Sequence, residues 1–242
     1  MNPLIDTLKV KLFADGADID GMVEMANKPY IAGLTTNPTL MRKAGITDYV
    51  KFAKDVLNEI KTKPVSFEVF SDELEEMKVQ AEQIASWAEN VFVKIPVTNT
   101  KGISTAPVVK FLSQQGVKLN VTAAMTQKQV QEIIENLSPS VPNNISVFAG
   151  RIADTGRDPM PIMAECVKMI SNNPYSELIW ASPRELLNVF QADAVGCHII
   201  TATNDILAKL SLIQKDLEEY SLETVEMFFR DAVNSSYTLN TH

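Results

Sequence analysis

Histidine and cysteine are scarce in this 242-residue sequence, with two of each. Cys166 and Cys197 lie in apolar stretches without metal-ligand spacing, so we interpret them as buried thiols of a protein in a reducing cytoplasm. Two histidines argue against a histidine-based metal site and against a Ser-His-Asp triad, and we expect no metal. His198 lies in an apolar run and is interpreted as a core residue, while His242 is terminal.

Positive charge and long apolar runs are also lacking. The 22 Lys and Arg residues face 30 Asp and Glu, a formal net charge of -8, which argues against a nucleic-acid partner. An anionic substrate must therefore be held by a few local cations. No apolar run approaches the roughly 18 residues of a membrane span, and the first residues lack the pattern of a signal peptide. These absences predict a cytoplasmic protein without a membrane partner, and no Gly-rich nucleotide loop is found.

Short apolar runs rich in β-branched residues alternate with longer helical patterns along the chain. The eight predicted strands are residues 10–15, 31–36, 64–70, 91–96, 117–122, 144–149, 177–181 and 195–201. Their nearly continuous hydrophobicity is typical of parallel strands that are buried on both faces. Eight such units without a break in composition favour a closed (β/α)8 TIM barrel over an open sheet.

The helical patterns predict helix starts and a C-terminal extension. Ser71 is a candidate N-cap for a helix over residues 72–89, and Thr126 is expected to begin another helix. We assign residues 1–213 to the barrel and residues 214–242 to a C-terminal helical extension of the same domain. This aromatic-rich extension could cap the barrel or pack on a neighbouring subunit.

Three ionisable residues at predicted strand ends are candidates for catalysis, because catalytic groups of such barrels lie at the C-terminal ends of the strands. Lys94 lies in the apolar run Val91–Pro96, where burial disfavours an ammonium and an uncharged amine can attack a carbonyl carbon. Asp15 and Glu68 are lone acids in apolar strands and could supply acid–base catalysis. The alternatives are a lysine that extends to solvent from the strand end and a buried salt bridge between these groups.

Two arginines follow the sixth and seventh predicted strands. Arg151 follows Gly150, and Arg184 lies in the sequence Ser182-Pro183-Arg184, which we expect to begin a helix. Cations and helix N-termini bind phosphate, and the late loops of barrels are a frequent phosphate site. These loops are therefore a candidate anion site.

Five strand-end motifs together resemble the transaldolase family of class I Schiff-base aldolases. They are Thr-Thr-Asn-Pro-Thr at 35–39, Val-Lys-Ile-Pro at 93–96, Asn-Val-Thr at 120–122, Phe-Ala-Gly-Arg at 148–151 and Ala-Ser-Pro-Arg at 181–184. The similarity extends from about residue 11 to 210, with the motifs in the family's order and separation.

The resemblance implies a role for each motif residue. Lys94 would form an imine with the ketone of the substrate, Asp15 would be the general acid–base, and Glu68 and Thr122 would hold a water molecule. The substrate would be bound by Asn37, Thr36, Asn120, Ser146, Phe148, Arg151, Ser182 and Arg184. Of these residues, the last three would bind the phosphate. The implied reaction transfers a dihydroxyacetone unit from a ketose phosphate to an aldose phosphate, in the pentose phosphate pathway, without a metal or organic cofactor.

Two positions distinguish branches of the family that the chain resembles. Glu68 and Phe148 are typical of the transferases, whereas fructose-6-phosphate aldolases have Gln and Tyr there. The short chain resembles the compact members, which form rings of five that stack into decamers through the C-terminal helix, so the resemblance implies a homo-oligomer, a pentamer or decamer. The run Ala123-Ala124-Met125 departs from the family and puts the usual acceptor sugar in question. An aldolase, a non-catalytic sugar-phosphate-binding barrel and an assembly protein remain as alternatives.

Overall fold

A computed structural model describes residues 3–239 as a closed barrel of eight parallel strands. The strands are β1 (Lys11–Asp15), β2 (Ile31–Thr35), β3 (Val65–Glu68), β4 (Val91–Pro96), β5 (Leu119–Ala124), β6 (Asn143–Val147), β7 (Ser176–Trp180) and β8 (Ile199–Thr203). Each strand pairs with the next one in the sequence, and β8 pairs with β1 to close the sheet. The predicted TIM barrel is confirmed.

Helices surround this sheet, as expected for parallel strands joined by crossovers. They are α1 (Ile19–Ala26), α2 (Pro38–Lys43), α3 (Tyr49–Glu59), α4 (Leu74–Ala85), α5 (Ala106–Gln114), α6 (Gln127–Ile134), α7 (Ala149–Asp154), α8 (Met160–Ile170), α9 (Leu187–Ala194), α10 (Asn204–Ala208) and α11 (Leu217–Asn234). Short 3-10 helices cover Ile5–Thr7 and Lys209–Leu212. Within residues 3–239, no helix combines the length and apolar character that crossing a membrane requires.

Several element boundaries differ from those predicted. The strand predicted from residue 195 begins at Ile199, because Val195 still belongs to the end of α9 and Gly196 turns the chain with φ +75°. An apolar helix end and an apolar strand start look alike in a hydrophobicity pattern. The predicted helix start at Thr126, in contrast, is confirmed: Thr126 is the N-cap of α6 and forms a capping box with Gln129.

The predicted N-cap at Ser71 is wrong. Helix α4 begins at Leu74, and its N-cap is Glu73, whose side chain makes no capping hydrogen bond. The Ser71 hydroxyl accepts a bond from the Glu73 amide and donates one to the Glu76 carboxylate. Ser71 therefore stabilises the loop before the helix rather than the first turn.

An apolar layer fills the barrel below its C-terminal mouth. Phe13, Ile179, Ala181 and Ile199 form a buried cluster that is separate from the larger core between strands and helices. Residues two apart on a strand share a face, so Phe13 lies beneath Asp15. Gly33 accommodates this ring, since a Cβ at that position would lie 2.4 Å from a Phe13 ring carbon. The polar strand ends are thereby confined to the top of the barrel.

The cysteines and His198 lie away from the barrel mouth. Both thiols are free and buried, as predicted, and burial raises the pKa of Cys166 to about 11 and that of Cys197 to about 12. His198 is half-buried, and its Nδ1 accepts a hydrogen bond of 3.1 Å from the Leu178 amide. It is thus bonded within the fold, as its interpretation as a core residue requires, while His242 lies outside the described residues.

Helix α11 extends beyond the eighth unit of the barrel. The Asp216 carboxylate caps it by accepting bonds from two backbone amides. No residue of this helix is buried in the described chain, and its large apolar side chains are exposed. The chain's own barrel therefore leaves the apolar face of α11 uncovered, contrary to the alternative that this helix caps the barrel.

Candidate active site

A cavity of about 780 Å³ opens at the C-terminal ends of the barrel strands. Ten of the twelve predicted site residues line it: Asp15, Asn37, Glu68, Lys94, Thr122, Ser146, Phe148, Arg151, Ser182 and Arg184. The side chains of Thr36 and Asn120 lie outside its lining. Residues spread over most of the sequence thus meet in one space, because the sheet closes on itself.

Lys94 contributes a nearly buried amine to the lining of this cavity, with 6% of the residue exposed. Its Nζ lies 3.2 Å from Oε2 of Glu68 and donates a 2.7 Å hydrogen bond to the backbone oxygen of Thr36. Glu68 on β3 and Lys94 on β4 are register partners, so the strand pairing itself brings the two groups together. The salt bridge considered for these residues is present, within a cavity that a substrate can enter.

Asp15 holds a second carboxylate on the β1 side of the cavity. Its Oδ1 accepts a 2.9 Å bond from the Thr35 hydroxyl, and its Oδ2 accepts a 3.1 Å bond from the Asn37 amide. Asn37 also caps α2, where its Oδ1 accepts from the Leu40 amide, so its NH₂ group must face Asp15. The donors hold the carboxylate in one orientation.

The protonation of Asp15 is set by opposing effects. Burial raises its pKa above the usual 3.8 and is the largest effect, while Lys94 and the bonds from Thr35 and Asn37 lower the pKa, and Glu68 raises it slightly. A carboxyl group whose neutral form is favoured by burial and whose charged form is favoured by donors can both accept and return a proton. This is the property that a general acid–base requires.

Beside Lys94, a hydrogen-bonded chain crosses the barrel interior from β3 to β6. The Asn120 amide donates to the Ser66 hydroxyl at 3.1 Å, and the Ser146 hydroxyl donates to the Asn120 oxygen at 2.7 Å. Asn120 is fully buried and supports Ser146, which does line the cavity. Ser66 was missed in the sequence, although it lies two residues before Glu68 and so on the same inward face of β3.

The two threonines of the Thr-Thr-Asn motif differ in position. The Thr36 hydroxyl donates a 2.8 Å bond to the backbone oxygen of Ser66, and Thr36 is buried outside the cavity lining, so the predicted contact of Thr36 with substrate stays a prediction. Its neighbour Thr35 lines the cavity instead and contacts Asp15. Thr122 behaves as predicted in position, and its buried hydroxyl has no partner among the described residues.

The candidate anion site lies where α7 meets the loop after β7. Gly150 permits this approach, because a Cβ there would lie 1.5 Å from the Ser182 backbone oxygen. Ser182 itself has φ +58°, a left-handed conformation that is strained for a residue with a side chain. The guanidinium of Arg151 lies over the Phe148 ring, 5.6 Å from its centroid. Close backbone contact and local strain thus place these side chains together.

Arg184 adds a second guanidinium, but not at the start of a helix as predicted. Helix α9 begins at Leu187, and the amides of Arg184 and Glu185 instead donate to the Asn188 side-chain oxygen. The Arg184 guanidinium makes two hydrogen bonds to the carboxylate of Asp154, one of them from Nε to Oδ1 at 3.0 Å. Asp154 was missed in the sequence, because it lies at the end of α7 whereas Arg184 lies in the loop after β7, and no sequence pattern connects the two segments.

The departure at the end of β5 also faces the cavity. Ala123 has φ +64°, and the pairing of β5 with β6 shifts register between Val121 and Ala124. Ala123 and Met125 both line the cavity. The β5 end therefore contributes a small side chain and a flexible one to the cavity wall.

The fold and the cavity define a (β/α)8-barrel protein with its ionisable groups gathered at the strand ends, as in barrel enzymes. Residues 12–241 match the family described as Transaldolase/Fructose-6-phosphate aldolase. The chain therefore belongs to the transaldolase/fructose-6-phosphate aldolase family.

Individual relatives agree with this membership over nearly their whole length. A probable transaldolase of a Thermoanaerobacter species is 31% identical over 224 residues, which cover 92% of this chain and 98% of that protein. A probable transaldolase of Brucella anthropi is 34% identical over 215 residues, covering 87% and 94%.

Among solved structures, the chain is similar to KGPDC from Streptococcus mutans. The TM-score is 0.56 at 9% sequence identity, and the match covers 81% of this chain and 89% of the other. At this identity the likeness shows the barrel fold alone.

Proposed function

We propose that this protein is a transaldolase that uses Lys94 as a Schiff-base nucleophile. It would transfer a dihydroxyacetone unit from sedoheptulose 7-phosphate or fructose 6-phosphate to an aldose phosphate. The observation that supports this most directly is the buried Lys94 amine 3.2 Å from Glu68, in the same cavity as Asp15. An amine beside two acids supplies the nucleophile and the proton carriers that aldol chemistry requires.

In the first steps, Lys94 must lose a proton before its nitrogen can attack. Glu68 is the neighbouring carboxylate and receives this proton. The nitrogen then adds to C2 of the ketose, and loss of water from the carbinolamine gives an iminium ion. Glu68 and Thr122 hold this water, since Thr122 lines the cavity and its buried hydroxyl has no partner among the described residues.

Cleavage follows when Asp15 takes the proton of the C4 hydroxyl. The C3–C4 bond breaks, its electron pair moves into the iminium to give an enamine, and the aldose phosphate leaves. An acceptor aldehyde then binds, the enamine carbon attacks it, and Asp15 returns its proton to the new hydroxyl. Water releases the product and restores the Lys94 amine, so that no metal or organic cofactor takes part.

The remaining cavity residues would bind the two ends of the substrate. Asn37 and Ser146 contact the dihydroxyacetone end, with Asn120 supporting Ser146 through its side-chain oxygen. Arg151, Ser182 and Arg184 bind the phosphate at the cavity mouth. Charge-assisted bonds from arginine suit a phosphate, and an acidic chain has few other cations to offer it.

Transfer is favoured over net aldol cleavage by Glu68 and Phe148. An aldolase that releases free dihydroxyacetone is the second candidate, because it uses the same imine. The small Ala123 and the flexible Met125 leave the acceptor sugar open to experiment.

We also propose that the protein works in the cytoplasm, in the pentose phosphate pathway, as a pentamer or decamer. Two buried, free cysteines are in keeping with a reducing compartment. The uncovered apolar face of α11, which includes Leu222, Val225 and Phe229, supports packing against further copies of the chain.

Covalent trapping tests the central step. Borohydride reduction with fructose 6-phosphate should leave a three-carbon adduct on the peptide that contains Lys94, and Lys94→Met should abolish it. Lys63→Met is the matched control, because burial lowers the pKa of Lys63, yet its amine donates to backbone oxygens outside the cavity. A protein that stays unmodified, or that carries the adduct on another lysine, would contradict the proposal and leave a binding barrel as the better reading.

A further inference from the structure

Two threonine hydroxyls connect the eighth strand to Asp15. The Oγ1 atoms of Thr201 on β8 and Thr35 on β2 lie 2.5 Å apart, and Thr35 Oγ1 lies 2.9 Å from Asp15 Oδ1. Both threonines are buried, with 6% and 2% of each residue exposed. Strand β1 lies between β2 and β8 in the barrel, so the chain of hydroxyls spans three adjacent strands.

The number of protons fixes the direction of these bonds. A hydroxyl group has one proton, and an ionised carboxylate can only accept. When Asp15 is ionised, the Thr35 hydroxyl must donate its hydrogen bond to Asp15. In the 2.5 Å contact, the donor must therefore be the Thr201 hydroxyl and the acceptor Thr35. The chain then runs from Thr201 to Thr35 to Asp15, with every proton directed toward the negative charge.

Such a chain favours the ionised form of Asp15. Accepting a bond from Thr201 polarises the Thr35 hydroxyl and makes it a stronger donor, and hydrogen bonds to a charged group are stronger than those between neutral groups. If Asp15 is protonated, the bond from Thr35 loses this charge assistance. Thr201 thus acts on Asp15 without touching it.

We propose that Thr201 is a positioning residue that keeps Asp15 ready to accept a proton, through the hydroxyl of Thr35. The role of Asp15 in proton transfer rests on the proposed function, whereas the link from Thr201 to Asp15 rests on geometry alone. Neither the family match nor the motifs in the sequence single out Thr201.

The effect of the Thr201 hydroxyl on Asp15 can be measured separately from the effects of the charged groups around Asp15. Lys94 on β4 and Glu68 on β3 act on Asp15 through their charges, in opposite directions, and burial raises its pKa. No hydrogen bond joins Thr201 to either of these residues in the structure, so removal of its hydroxyl alters the hydrogen-bond chain and leaves the charges in place.

The direct test is the titration of Asp15 followed by the NMR signal of its side-chain carbon, assigned with Asp15→Asn. Thr201→Val has nearly the same shape but no hydroxyl, and it should raise the pKa of Asp15 by roughly half a unit. Thr201→Ser keeps the hydroxyl and should restore the wild-type titration. Thr203→Val is the matched control on the same strand, since Thr203 lines the cavity but has no bond to Thr35.

Kinetics supply the second readout. The acidic limb of the kcat profile should move to higher pH by the same half unit in Thr201→Val, which is a loss of about threefold at acidic pH and little loss at alkaline pH. If Thr201→Val folds poorly, Thr201→Ala removes the same hydroxyl and should give the same shift.

Three results would overturn the proposal: an unchanged Asp15 titration in a folded variant without the hydroxyl, the same shift in Thr203→Val, or a rise in KM alone with an unchanged pH profile. The last of these would make Thr201 a substrate contact. Failure of the proposed function is a separate outcome, since it would appear as a wild-type protein that forms no adduct on Lys94.

Discussion

The guanidinium of Arg184 is bonded twice to the carboxylate of Asp154, at the mouth of the barrel cavity. About half of each side chain is exposed, and ion pairs of this kind contribute only about 0–1 kcal/mol to stability. A phosphate group can therefore replace or share this partner at little cost. The Arg184 guanidinium, to which we assign phosphate binding, is thus held in position by Asp154 before the substrate binds, and it remains free to exchange this partner.

Loss of Arg184 should affect phosphorylated substrates most. A charge-assisted hydrogen bond contributes about 1.5–3 kcal/mol, so Arg184→Ala should reduce kcat/KM by roughly 10- to 150-fold with fructose 6-phosphate as donor. Free dihydroxyacetone, paired with an aldehyde acceptor that has no phosphate, should be used almost as well as by the wild type. Steady-state kinetics with both donors measure the difference, and equal losses would mean that the phosphate binds elsewhere or that Arg184 supports the fold.

Removal of the competing charge should have the opposite effect. Asp154→Asn keeps the size of the side chain but releases Arg184 from a negative partner, so KM for phosphorylated donors should fall by up to about fivefold. Asp158→Asn is the control, because Asp158 is exposed and its carboxylate accepts from the Met160 amide rather than from an arginine. A higher KM in Asp154→Asn would show that Asp154 orients Arg184 for the substrate instead of competing with it.

The order of the strands made much of the site predictable from the sequence. Lys94 and Glu68 lie on consecutive strands, and consecutive strands of a barrel are neighbours, so their contact follows from the fold. Asp15, Ser146 and Arg151 are likewise placed at the mouth by their position at or just after strand ends. For these residues, the alternation of strands and helices in the sequence was enough to predict their position at the mouth of the barrel.

Contacts that depend on exact strand ends or on loop geometry could not be predicted in the same way. Thr35 and Thr36 are adjacent and identical, and only the observed end of β2 shows that Thr35 faces the cavity. The pair formed by Arg184 and Asp154 joins the loop after β7 to the end of α7, 30 residues earlier, and the sequence contains no periodic signal for this contact. The link from Thr201 to Thr35 spans 166 residues and exists only because the barrel closes.

The buried carboxyl of Asp15 should make the stability of the fold depend on pH. Its pKa in the folded state is raised above 3.8, so its contribution to the free energy of unfolding is fully present below pH 3.8 and is lost as the pH rises through the folded pKa. Asp15→Asn cannot ionise and should lack this loss. Urea unfolding at fixed protein concentration should therefore show the variant gaining on the wild type as the pH is raised from about 4.

In Asp15→Asn the side-chain oxygen can accept from the NH₂ group of Asn37, and the new NH₂ group can donate to the Thr35 hydroxyl. Any constant difference in stability between variant and wild type does not depend on pH, and the sign of the slope remains the test. If the stability of Asp15→Asn relative to the wild type stays constant across this pH range, or falls as the pH rises, the result would contradict a raised pKa for Asp15.

The balance between transfer and release should be controlled by Glu68 and Phe148. The wild type should form free dihydroxyacetone slowly from fructose 6-phosphate alone, and erythrose 4-phosphate should accelerate turnover because it accepts the bound three-carbon unit. The Glu68 carboxylate lies beside the nitrogen that becomes the iminium ion, and a negative charge at 3.2 Å stabilises that cation against hydrolysis. Phe148, packed against Arg151, offers no hydroxyl with which to hold a hydrolytic water.

The double variant Glu68→Gln with Phe148→Tyr removes this charge and adds a hydroxyl at the cavity wall. The covalent intermediate should then hydrolyse more readily, and the ratio of free dihydroxyacetone to transfer product should rise. Each single variant should move the ratio part of the way, and Lys94→Met should make neither product. Because both products pass through the same imine, the borohydride adduct on Lys94 should persist in the double variant. An unchanged ratio would show that these two side chains do not set the partition, and equal wild-type rates with and without an aldose acceptor would favour the aldolase over the transferase.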